Sequence, residues 1–253
     1  MKKLSILIPV FNECKTIYEV LQKVNDVTLI QNIEKEIVVI NDKSSDSSLQ
    51  EIKRYIKDFP QHPILLINHE INLGKGATLR TGIAKATGDY TIIQDADLEL
   101  DPNEYNNILM PVLEQTANIV YGSRFLKKKK EGAFMSVLAN SFLTKLANFV
   151  FRTKITDMET CYKLIPTHIF QALILVENRF GFEPEITAKL AKIRYLKWAE
   201  VPITYNPRSN VQGKKIGWKD GIRAMFCIFR YGWFWNAEKS IKDSSAFIYV
   251  HKD

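Results

Sequence analysis

The chain has few cysteines and no long apolar run. Its 253 residues include three widely spaced cysteines, Cys14, Cys161 and Cys227, which cannot all pair. Since no Cys-x-x-Cys and no Cys/His cluster occurs, neither a disulfide framework nor a zinc site is indicated, and we expect a reduced, cytoplasmic setting. No stretch reaches the roughly 18 apolar residues of a membrane span. The N-terminal residues 1–14 lack a small-residue cleavage site, and we interpret their apolar run as a first strand.

Several motifs of common enzyme classes are also missing. No Gly-x-Gly-x-x-Gly follows the first apolar run, and the segment "GKGATLRTG" lacks the Walker spacing, which disfavours a dinucleotide oxidoreductase and a P-loop NTPase. There is no nucleophile elbow and no kinase signature set. The four histidines form no visible constellation in the sequence: His62, His69, His168 and His251.

The charge is basic and the composition is otherwise that of an ordinary globular protein. Hydrophobic residues make up 46 % and charged residues 25 %, with a formal net charge of +7. This balance favours anionic partners such as nucleotides, phosphates or an acidic membrane surface, although a merely soluble basic protein fits as well. No nucleic-acid-binding motif is recognised, so a nucleic-acid partner is not predicted.

Short apolar runs alternate with helical patterns in the first half of the chain. The predicted strands are 4–10, 36–41, 63–68 and 90–95, and the predicted helices between them are 13–25, 46–58 and 75–87. Nearly continuous apolar strands are typical of a parallel sheet covered on both faces, so we predict a doubly wound α/β fold. Further on we predict helices at 102–115, 134–151, 182–193 and 217–236, and strands at 117–122 and 199–206.

Polar clusters follow three of the predicted strands, where ligands bind in open α/β sheets. One of them, "QDADLEL", carries Asp95, Asp97 and Glu99 at every second position directly after the apolar run "YTII". If the chain stays extended, these side chains point the same way. Carboxylates packed so closely repel one another unless a cation joins them, and Mg²⁺ prefers such oxygen ligands together with substrate phosphates. The spacing therefore predicts a divalent metal site, although helix capping explains any single cluster equally well.

The order of the motifs resembles glycosyltransferase family 2. The segments "ILIPVFNE", "VVINDKSSD", "NLGKGATLRTGIAKATGDYTIIQDADLELDP" and "GSRF" follow one another as in that family, and they are most similar to the dolichol-phosphate mannose synthase-like branch. The similarity continues through "TDMETCYKLIP" and "RFGFEPEITAK" and covers about residues 3–235. It implies a GT-A fold with a mostly parallel sheet, a nucleoside-diphosphate sugar as donor, Mg²⁺ or Mn²⁺ as cofactor, and inversion at the anomeric carbon.

The resemblance also implies roles for individual residues. It places Asp97 as a metal ligand and Glu99 as a third metal ligand where the synthases often have glutamine. It also places Asp95 on the sugar side, as a catalytic and metal-binding acid. It further implies that Arg124 and Arg208 face phosphate groups. The full set of expected donor-binding residues is Pro9, Asn12, Glu13, Asp42, Lys75, Asp95, Ala96, Asp97, Arg124 and Arg208.

The acceptor is less defined, because Cys161 and Tyr162 stand where the synthases often have Gly-Phe. A polyprenyl phosphate, such as dolichyl or undecaprenyl phosphate, is already a nucleophile and needs no base. A hydroxyl of a glycan or lipid requires one, for which we expect Asp157 first and Glu159 second. A nucleotide-sugar-binding protein without turnover is the remaining alternative. We expect one domain over 1–236, with a donor half of about 1–125, an acceptor half of about 126–236, and a tail at 237–253.

Two features suggest contact with the cytoplasmic face of a membrane. Residues 127–130 are four consecutive lysines, which attract anionic lipid or form a solvated loop. The predicted helix 217–236 places an apolar stripe on one face. This stripe suits a membrane interface, but it equally suits the core or a homodimer contact. Its members are Trp218, Ile222, Met225, Phe229 and Trp233.

Overall fold

A seven-stranded mixed sheet forms the centre of the computed structural model, which describes residues 1–127, 134–193, 195–208, 218–235 and 240–242. The strands are β1 (Lys3–Val10), β2 (Glu34–Asn41), β3 (Ile64–Asn68), β4 (Tyr90–Ile93), β5 (Ile119–Ser123), β6 (Lys163–Pro166) and β7 (Trp198–Pro202). Their order in the sheet is β3-β2-β1-β4-β6-β5-β7, and β6 alone among them runs antiparallel to its neighbours.

The first four strands confirm the predicted parallel α/β arrangement. β1 pairs with β2 on one side and with β4 on the other, both in parallel. The chain builds outward from β1 to β3 and then returns to place β4 beside β1, so the order reverses between these two strands. A crevice opens at such a reversal, at the carboxyl ends of the strands. The prediction of full burial was wrong for β3, because it is an edge strand and Leu65 is exposed.

Helices cover the sheet at nearly the predicted positions. In the described residues they are α1 (Ile17–Asp26), α2 (Ser48–Asp58), α3 (Lys75–Lys85), α4 (Tyr105–Leu113), α5 (Phe134–Phe151), α6 (Thr167–Ala172), α7 (Phe182–Leu190) and α8 (Trp218–Trp233), with 3₁₀ turns at Ile30–Asn32 and Pro102–Glu104. α2 illustrates the local cause: Ile52 and Tyr55 are buried three residues apart on one face, and charged residues occupy the other.

The strand β6 and the short helix α6 were not predicted. β6 begins with Lys163, which is fully buried, and a charged residue in a four-residue segment conceals the strand pattern. β4 was predicted to reach residue 95 but ends at Ile93, and the chain bends over Ala96–Glu99. The acids of "QDADLEL" therefore lie on a bend beyond the strand, and the expected extension through Glu99 was wrong.

The C-terminal helix α8 divides its predicted apolar stripe between core and surface. Met225 and Phe229 are partly buried against the core, and the side chain of Trp218 lies outside the described residues. The helix packs Ala224, Cys227, Ile228 and Tyr231 against the protein, mainly against α5 and α7. Ile222 and Trp233 of the predicted stripe are exposed, so the core interpretation was wrong for these two residues. Within the described ranges, no helix is both long enough and apolar enough to cross a bilayer.

Candidate active site

A cleft of about 380 Å³ opens at the carboxyl ends of β1, β2 and β4, where the strand order reverses. It collects most of the residues expected from the sequence. Those lining it are Pro9, Glu13, Asp42, Lys75, Asp95, Ala96, Asp97, Glu99, Arg124 and Arg208. The structure thus brings together side chains that are up to two hundred residues apart in the chain.

At one end of the cleft, Asp42 holds the loop that leads into α3. Its buried carboxylate accepts hydrogen bonds from the backbone N–H groups of Leu73 and Gly74 at 2.9 and 2.8 Å. It also accepts one from Asn72 Nδ2 at 2.9 Å and lies 2.8 Å from His69 Nδ1. Gly74 has φ +91°, a conformation that L side chains rarely adopt, so glycine is required at this turn. Asp42 thereby fixes the entry of α3.

Asn12 lies behind the rim and does not line the cleft. Its Oδ1 accepts a hydrogen bond from the backbone N–H of Ser45 at 2.8 Å, and its own N–H donates to Ser44 Oγ at 3.1 Å. Asn12 adopts φ 51°, which asparagine tolerates better than most residues. Asn12 thus joins the loops that follow β1 and β2 and shapes the wall beside Pro9, and its expected contact with the donor stays a prediction.

Lys75 and Asp95 form an ion pair at the wall of the cleft, with 2.7 Å between Nζ and Oδ1. Burial disfavours both charged forms, but the opposite charge outweighs it. The pKa of Lys75 is therefore raised well above its usual range, and the pKa of Asp95 is lowered. Cys161 Sγ lies 3.7 Å from the same ammonium. Both partners consequently remain charged at neutral pH.

Asp97 sits on the bend that follows β4. Its Oδ1 accepts a hydrogen bond from the backbone N–H of Glu99 at 3.0 Å, which stabilises the bend. Burial raises the pKa of Asp97 to about 7, with further contributions from the carboxylates of Asp95 and Glu99. A buried carboxylate whose pKa is raised by neighbouring acids lies where a cation would relieve the repulsion.

Arg208 supplies that cation in this structure. Its guanidinium contacts Glu13 Oε2 at 2.9 Å and Asp97 Oδ2 at 2.5 Å, and its Nε lies 3.7 Å from Glu99 Oε1. The backbone N–H of Arg208 also donates to Glu99 at 2.9 Å, and Tyr205 OH donates to the same carboxylate at 3.2 Å. These contacts hold the segment after β7 against the acid cluster of Glu13, Asp97 and Glu99.

The carboxylate oxygens around Arg208 suit a hard divalent cation, although the acids do not enclose a preformed metal site. In the part of the chain that the structure describes, no three His, Cys, Asp or Glu side chains are arranged to hold a metal ion. Glu13, Asp97 and Glu99 instead surround the guanidinium of Arg208, which stands in for a cation among carboxylate oxygens. Oxygen ligands of this kind are those that Mg²⁺ and Mn²⁺ take in proteins.

Arg124 is held by Asp157 from behind the cleft. Both carboxylate oxygens of Asp157 accept hydrogen bonds from the guanidinium, at 2.7 and 2.8 Å, and the backbone N–H of Arg124 adds a third at 3.1 Å. Asp157 is fully buried and does not line the cleft. The expectation of Asp157 as general base is therefore corrected: it positions Arg124, because its oxygens are already occupied.

Two further glutamates line the cleft, and each has a carboxylate oxygen without a hydrogen-bond partner in the described residues. Glu183 forms an ion pair with buried Lys163, but its Oε1 is buried without a hydrogen-bond partner among the described residues. Glu159 Oε1 is likewise buried and unpartnered within these ranges. Burial raises the pKa of Glu159 to about 7, with a further contribution from Glu183. Glu183 was not predicted as a site residue, and no signal in the sequence distinguishes it from an ordinary helix-start acid.

A buried network fixes the loop that carries Asp95. Gln94 Oε1 accepts hydrogen bonds from Tyr105 OH at 2.7 Å and from Tyr162 OH at 2.6 Å. The phenolic oxygen of Tyr162 thus has a structural partner, which gives a physical reason for Tyr at the position where related synthases often have Phe. The network could not be predicted from the sequence, because Tyr105 and Tyr162 are 11 and 68 residues from Gln94.

The segment before α7 packs on the start of α3. The carbonyl of Glu177 accepts a hydrogen bond from Arg80 at 2.7 Å, and that of Asn178 accepts one from Ala77 N–H at 3.2 Å. A Cβ on Gly76 would lie 2.2 Å from the Glu177 carbonyl oxygen, so only glycine permits this approach. Arg179, in the same segment, lines the cleft. The segment braces the helix turn that presents Lys75.

The lysine run of 127–130 is described only at its first residue. Lys127 is exposed and contacts Glu104 at 3.3 Å, whereas 128–130 lie outside the described residues.

The chain is similar in sequence to known sugar transferases. The dolichyl-phosphate beta-glucosyltransferase of Trichomonas vaginalis is 26 % identical over 224 residues, which are 84 % of this chain and 68 % of that protein. The dolichol-phosphate mannosyltransferase of Pyrococcus furiosus is 25 % identical over 220 residues, or 85 % of this chain. The chain spans 60 % of the length of this archaeal relative.

The solved structures confirm the fold. Glucosyl-3-phosphoglycerate synthase from Mycobacterium tuberculosis, crystallised with Mn²⁺, UDP and glucosyl-3-phosphoglycerate, superimposes with a TM-score of 0.68 at 14 % identity. The match covers 91 % of this chain and 80 % of that one, and it confirms the expected GT-A fold. The sequence model of the family described as glycosyl transferase family 2 matches residues 5–174 of the chain. The chain therefore belongs to this family and is a glycosyltransferase.

Proposed function

We propose that the protein transfers a hexose, with inversion, from a UDP- or GDP-linked sugar to a polyprenyl phosphate in the presence of Mg²⁺ or Mn²⁺. The single observation that carries the proposal is the acid cluster of Glu13, Asp97 and Glu99 closed on the guanidinium of Arg208. Such a cluster at the switch point of an α/β sheet suits a diphosphate that is bound through a cation.

The donor would extend along the cleft from Asp42 toward Lys75. The loop fixed by Asp42 would form the nucleotide end, and the Lys75–Asp95 pair lines the same cleft. Asp97 and Glu99, with Asp95, would hold the metal. When bound, the metal would supply Lewis-acid stabilisation of the diphosphate leaving group. Lys75 and Arg208 add positive charge beside that diphosphate, which stabilises the charge that develops as the glycosidic bond breaks.

A phosphate acceptor fits the other end of the cleft. Arg124 faces it, and its guanidinium is fixed by Asp157 so that its charge is oriented in advance. A phosphate oxygen is an anionic nucleophile, so the reaction needs no side chain to remove a proton. Relatives named for transfer to dolichyl phosphate support this acceptor class. The alternative, a hydroxyl acceptor activated by Asp157, loses support because Asp157 is buried behind Arg124.

The exposed apolar face of α5 and α8 supports a peripheral position on the cytoplasmic membrane face. Phe142 and Phe149 project from α5, and Phe226 and Trp233 from the neighbouring α8, all at least half exposed. Partly exposed Arg223 also lies on α8. Aromatic side chains flanked by arginine favour the interface of an anionic bilayer, where the lipid acceptor resides.

The first experiment measures transfer directly. The purified protein is incubated with radiolabelled UDP- and GDP-hexoses, with Mg²⁺ or Mn²⁺, and with polyprenyl phosphate in anionic vesicles. We expect label in the lipid fraction with one donor and a requirement for the metal. Transfer to a free hydroxyl without any stimulation by polyprenyl phosphate would overturn the acceptor assignment.

Matched variants separate the site from general folding. Asp97→Asn removes a carboxylate of the acid cluster and should abolish transfer. Asp101→Asn changes a nearby acid that accepts hydrogen bonds from the backbone N–H and from Nδ2 of Asn103, and it should retain activity. For the membrane, Phe142→Ser combined with Trp233→Ser should reduce co-sedimentation with anionic vesicles. A protein that stays in the supernatant but elutes as a dimer would favour a homodimer contact instead.

A further inference from the structure

We infer that Glu159 and Glu183 form the subsite for the hydroxyl groups of the donor sugar, and that this subsite admits neutral hexoses while excluding uronic acids. The inference rests on the proposed function, because it takes a nucleotide-linked sugar as the ligand of the cleft. It adds what that function leaves open, namely which residues select the sugar.

The primary observation is a pair of cleft-lining glutamates, each of which has one carboxylate oxygen without a hydrogen-bond partner among the described residues. Both glutamates line the cleft, and Oε1 of each is buried without a hydrogen-bond partner in the described ranges. Glu183 is only 5 % exposed, and its other oxygen is occupied by Lys163. Buried polar atoms without partners are rare because each one destabilises the fold. Two of them at the wall of one cleft indicate a site that a ligand completes.

The position of the pair matches the sugar end of the donor. Glu183 is close enough to Lys75 for its charge to act on that ammonium, and Lys75 is paired with Asp95. The charge of Arg124 also acts on Glu159. The two glutamates therefore share the cleft with the Lys75–Asp95 pair and with Arg124. A hexose attached to the proposed diphosphate would come within reach of them before it moves to an acceptor near Arg124.

The chemistry of the pair selects the ligand class. The unpartnered Oε1 atom of each glutamate can accept a hydrogen bond from a hydroxyl group. A hexose offers several hydroxyl donors, and bonds from neutral donors to a carboxylate are among the stronger ones in proteins. A uronic acid brings a further carboxylate toward two acids whose nearest cation, Lys163, is already paired. The same repulsion keeps an acceptor phosphate on the Arg124 side.

The test compares nucleotide-sugar donors with the whole chain in the presence of Mn²⁺. Binding of UDP and GDP alone, and kcat/KM for UDP-glucose, UDP-galactose, GDP-mannose and UDP-glucuronate, are measured for wild type and Glu159→Gln. This substitution breaks no hydrogen bond within the described residues, so folding should be retained. The matched control is Glu36→Gln. Glu36 is a half-buried glutamate at the opposite end of the sheet, where it accepts hydrogen bonds from Ser5 and Thr87.

We expect Glu159→Gln to lower kcat/KM for the preferred neutral hexose by about tenfold or more, while the affinity for the bare nucleotide stays unchanged. The preference for hexose over glucuronate should fall by a similar factor, and Glu36→Gln should change neither quantity. Glu183→Gln should act in the same direction, with a melting curve to account for the unpaired Lys163.

Two results would overturn the inference while leaving the proposed function intact. One is an unchanged hexose-to-glucuronate preference in both variants. The other is an equal loss of kcat with every donor at unchanged donor affinity, which would make Glu159 a general base. If the wild type neither binds UDP or GDP nor transfers any sugar, the proposed function itself fails, and the inference fails with it.

Discussion

Replacing Arg208 with Met tests whether this arginine neutralises the acid cluster. The guanidinium is 2.9 Å from Glu13 and 2.5 Å from Asp97, and both carboxylates are about one-tenth exposed. Methionine keeps the apolar stem but removes the charge. The three carboxylates of Glu13, Asp97 and Glu99 are then left without their cation, so the metal-free protein should be destabilised at neutral pH.

The structure allows the size of the effect to be estimated. Removing one partner of a buried ion pair costs about 3–5 kcal/mol, and partial exposure of Arg208 reduces this to roughly 2–3 kcal/mol. For a chain of this length, such a loss lowers the melting temperature by about 5–10 °C. The loss should be smaller at pH 6 than at pH 8, because burial already raises the pKa of Asp97 to about 7 and protonation relieves the repulsion.

The assay is thermal melting in EDTA and in Mn²⁺. Because Arg208→Met frees the carboxylates for a divalent cation, Mn²⁺ should raise the melting temperature of the variant more than that of the wild type. Arg208→Lys, which keeps the charge, should lie between the two. If Arg208→Met melts at or above the wild type in EDTA, or if Mn²⁺ stabilises both equally, Arg208 does not neutralise the cluster.

Three further predictions concern other parts of the cleft. Burial, and secondarily the charge of Glu183, raises the pKa of Glu159 from 4.5 to about 7, so ionisation of this group destabilises the fold as pH rises from about 4.5 to 7. Glu159→Gln should therefore increase the free energy of unfolding by roughly 1–3 kcal/mol at pH 8 and by less at pH 5, and equal shifts of the melting temperature at both pH values would contradict this. Gly76→Ala places a Cβ 2.2 Å from the Glu177 carbonyl oxygen and should lower the free energy of unfolding by about 1–3 kcal/mol or more in urea titrations; an unchanged midpoint would refute it. Asp157→Asn weakens the fixation of Arg124 and should lower kcat/KM about tenfold or more, whereas full activity would argue against a positioning role.

The parallel half of the fold follows directly from the sequence. The apolar runs of β1, β2 and β4 are each at least four residues long and nearly uninterrupted, so burial on both faces can be predicted without any knowledge of their partners. The polar residues at their ends were predicted to meet because parallel strands share one carboxyl edge. Local pattern and strand direction were sufficient for this part of the site.

The remaining features depend on pairings that no local pattern encodes. Arg208 contacts Glu13 across 195 residues of sequence, and Asp157 turns toward Arg124 instead of the cleft. β6 was missed because its first residue, Lys163, is charged but buried against Glu183. In each case a tertiary ion pair decides where a charged side chain lies, and it overrides what the residue type suggests by itself.

If a metal ion and a diphosphate bind in this cleft as proposed, the ion pairs of Arg208 predict that the two ligands bind cooperatively. Arg208 would have to leave the carboxylates before they could hold a divalent cation, and a diphosphate alone would meet the negative charge of Asp97 and Glu99. With both ligands bound, the acids would hold the cation and Arg208 would be available to the phosphates. By thermodynamic reciprocity, each ligand then strengthens the other by the same factor.

Calorimetry of Mn²⁺ binding with and without UDP or GDP measures this coupling. We expect the nucleotide to tighten Mn²⁺ binding by about tenfold or more, within the usual range of coupling between sites. Arg208→Met should bind Mn²⁺ alone more tightly than the wild type does, because no guanidinium competes for the carboxylates. The coupling factor should therefore shrink in this variant. A factor that is the same in both proteins would mean that the exchange of Arg208 for a metal ion does not link the two ligands.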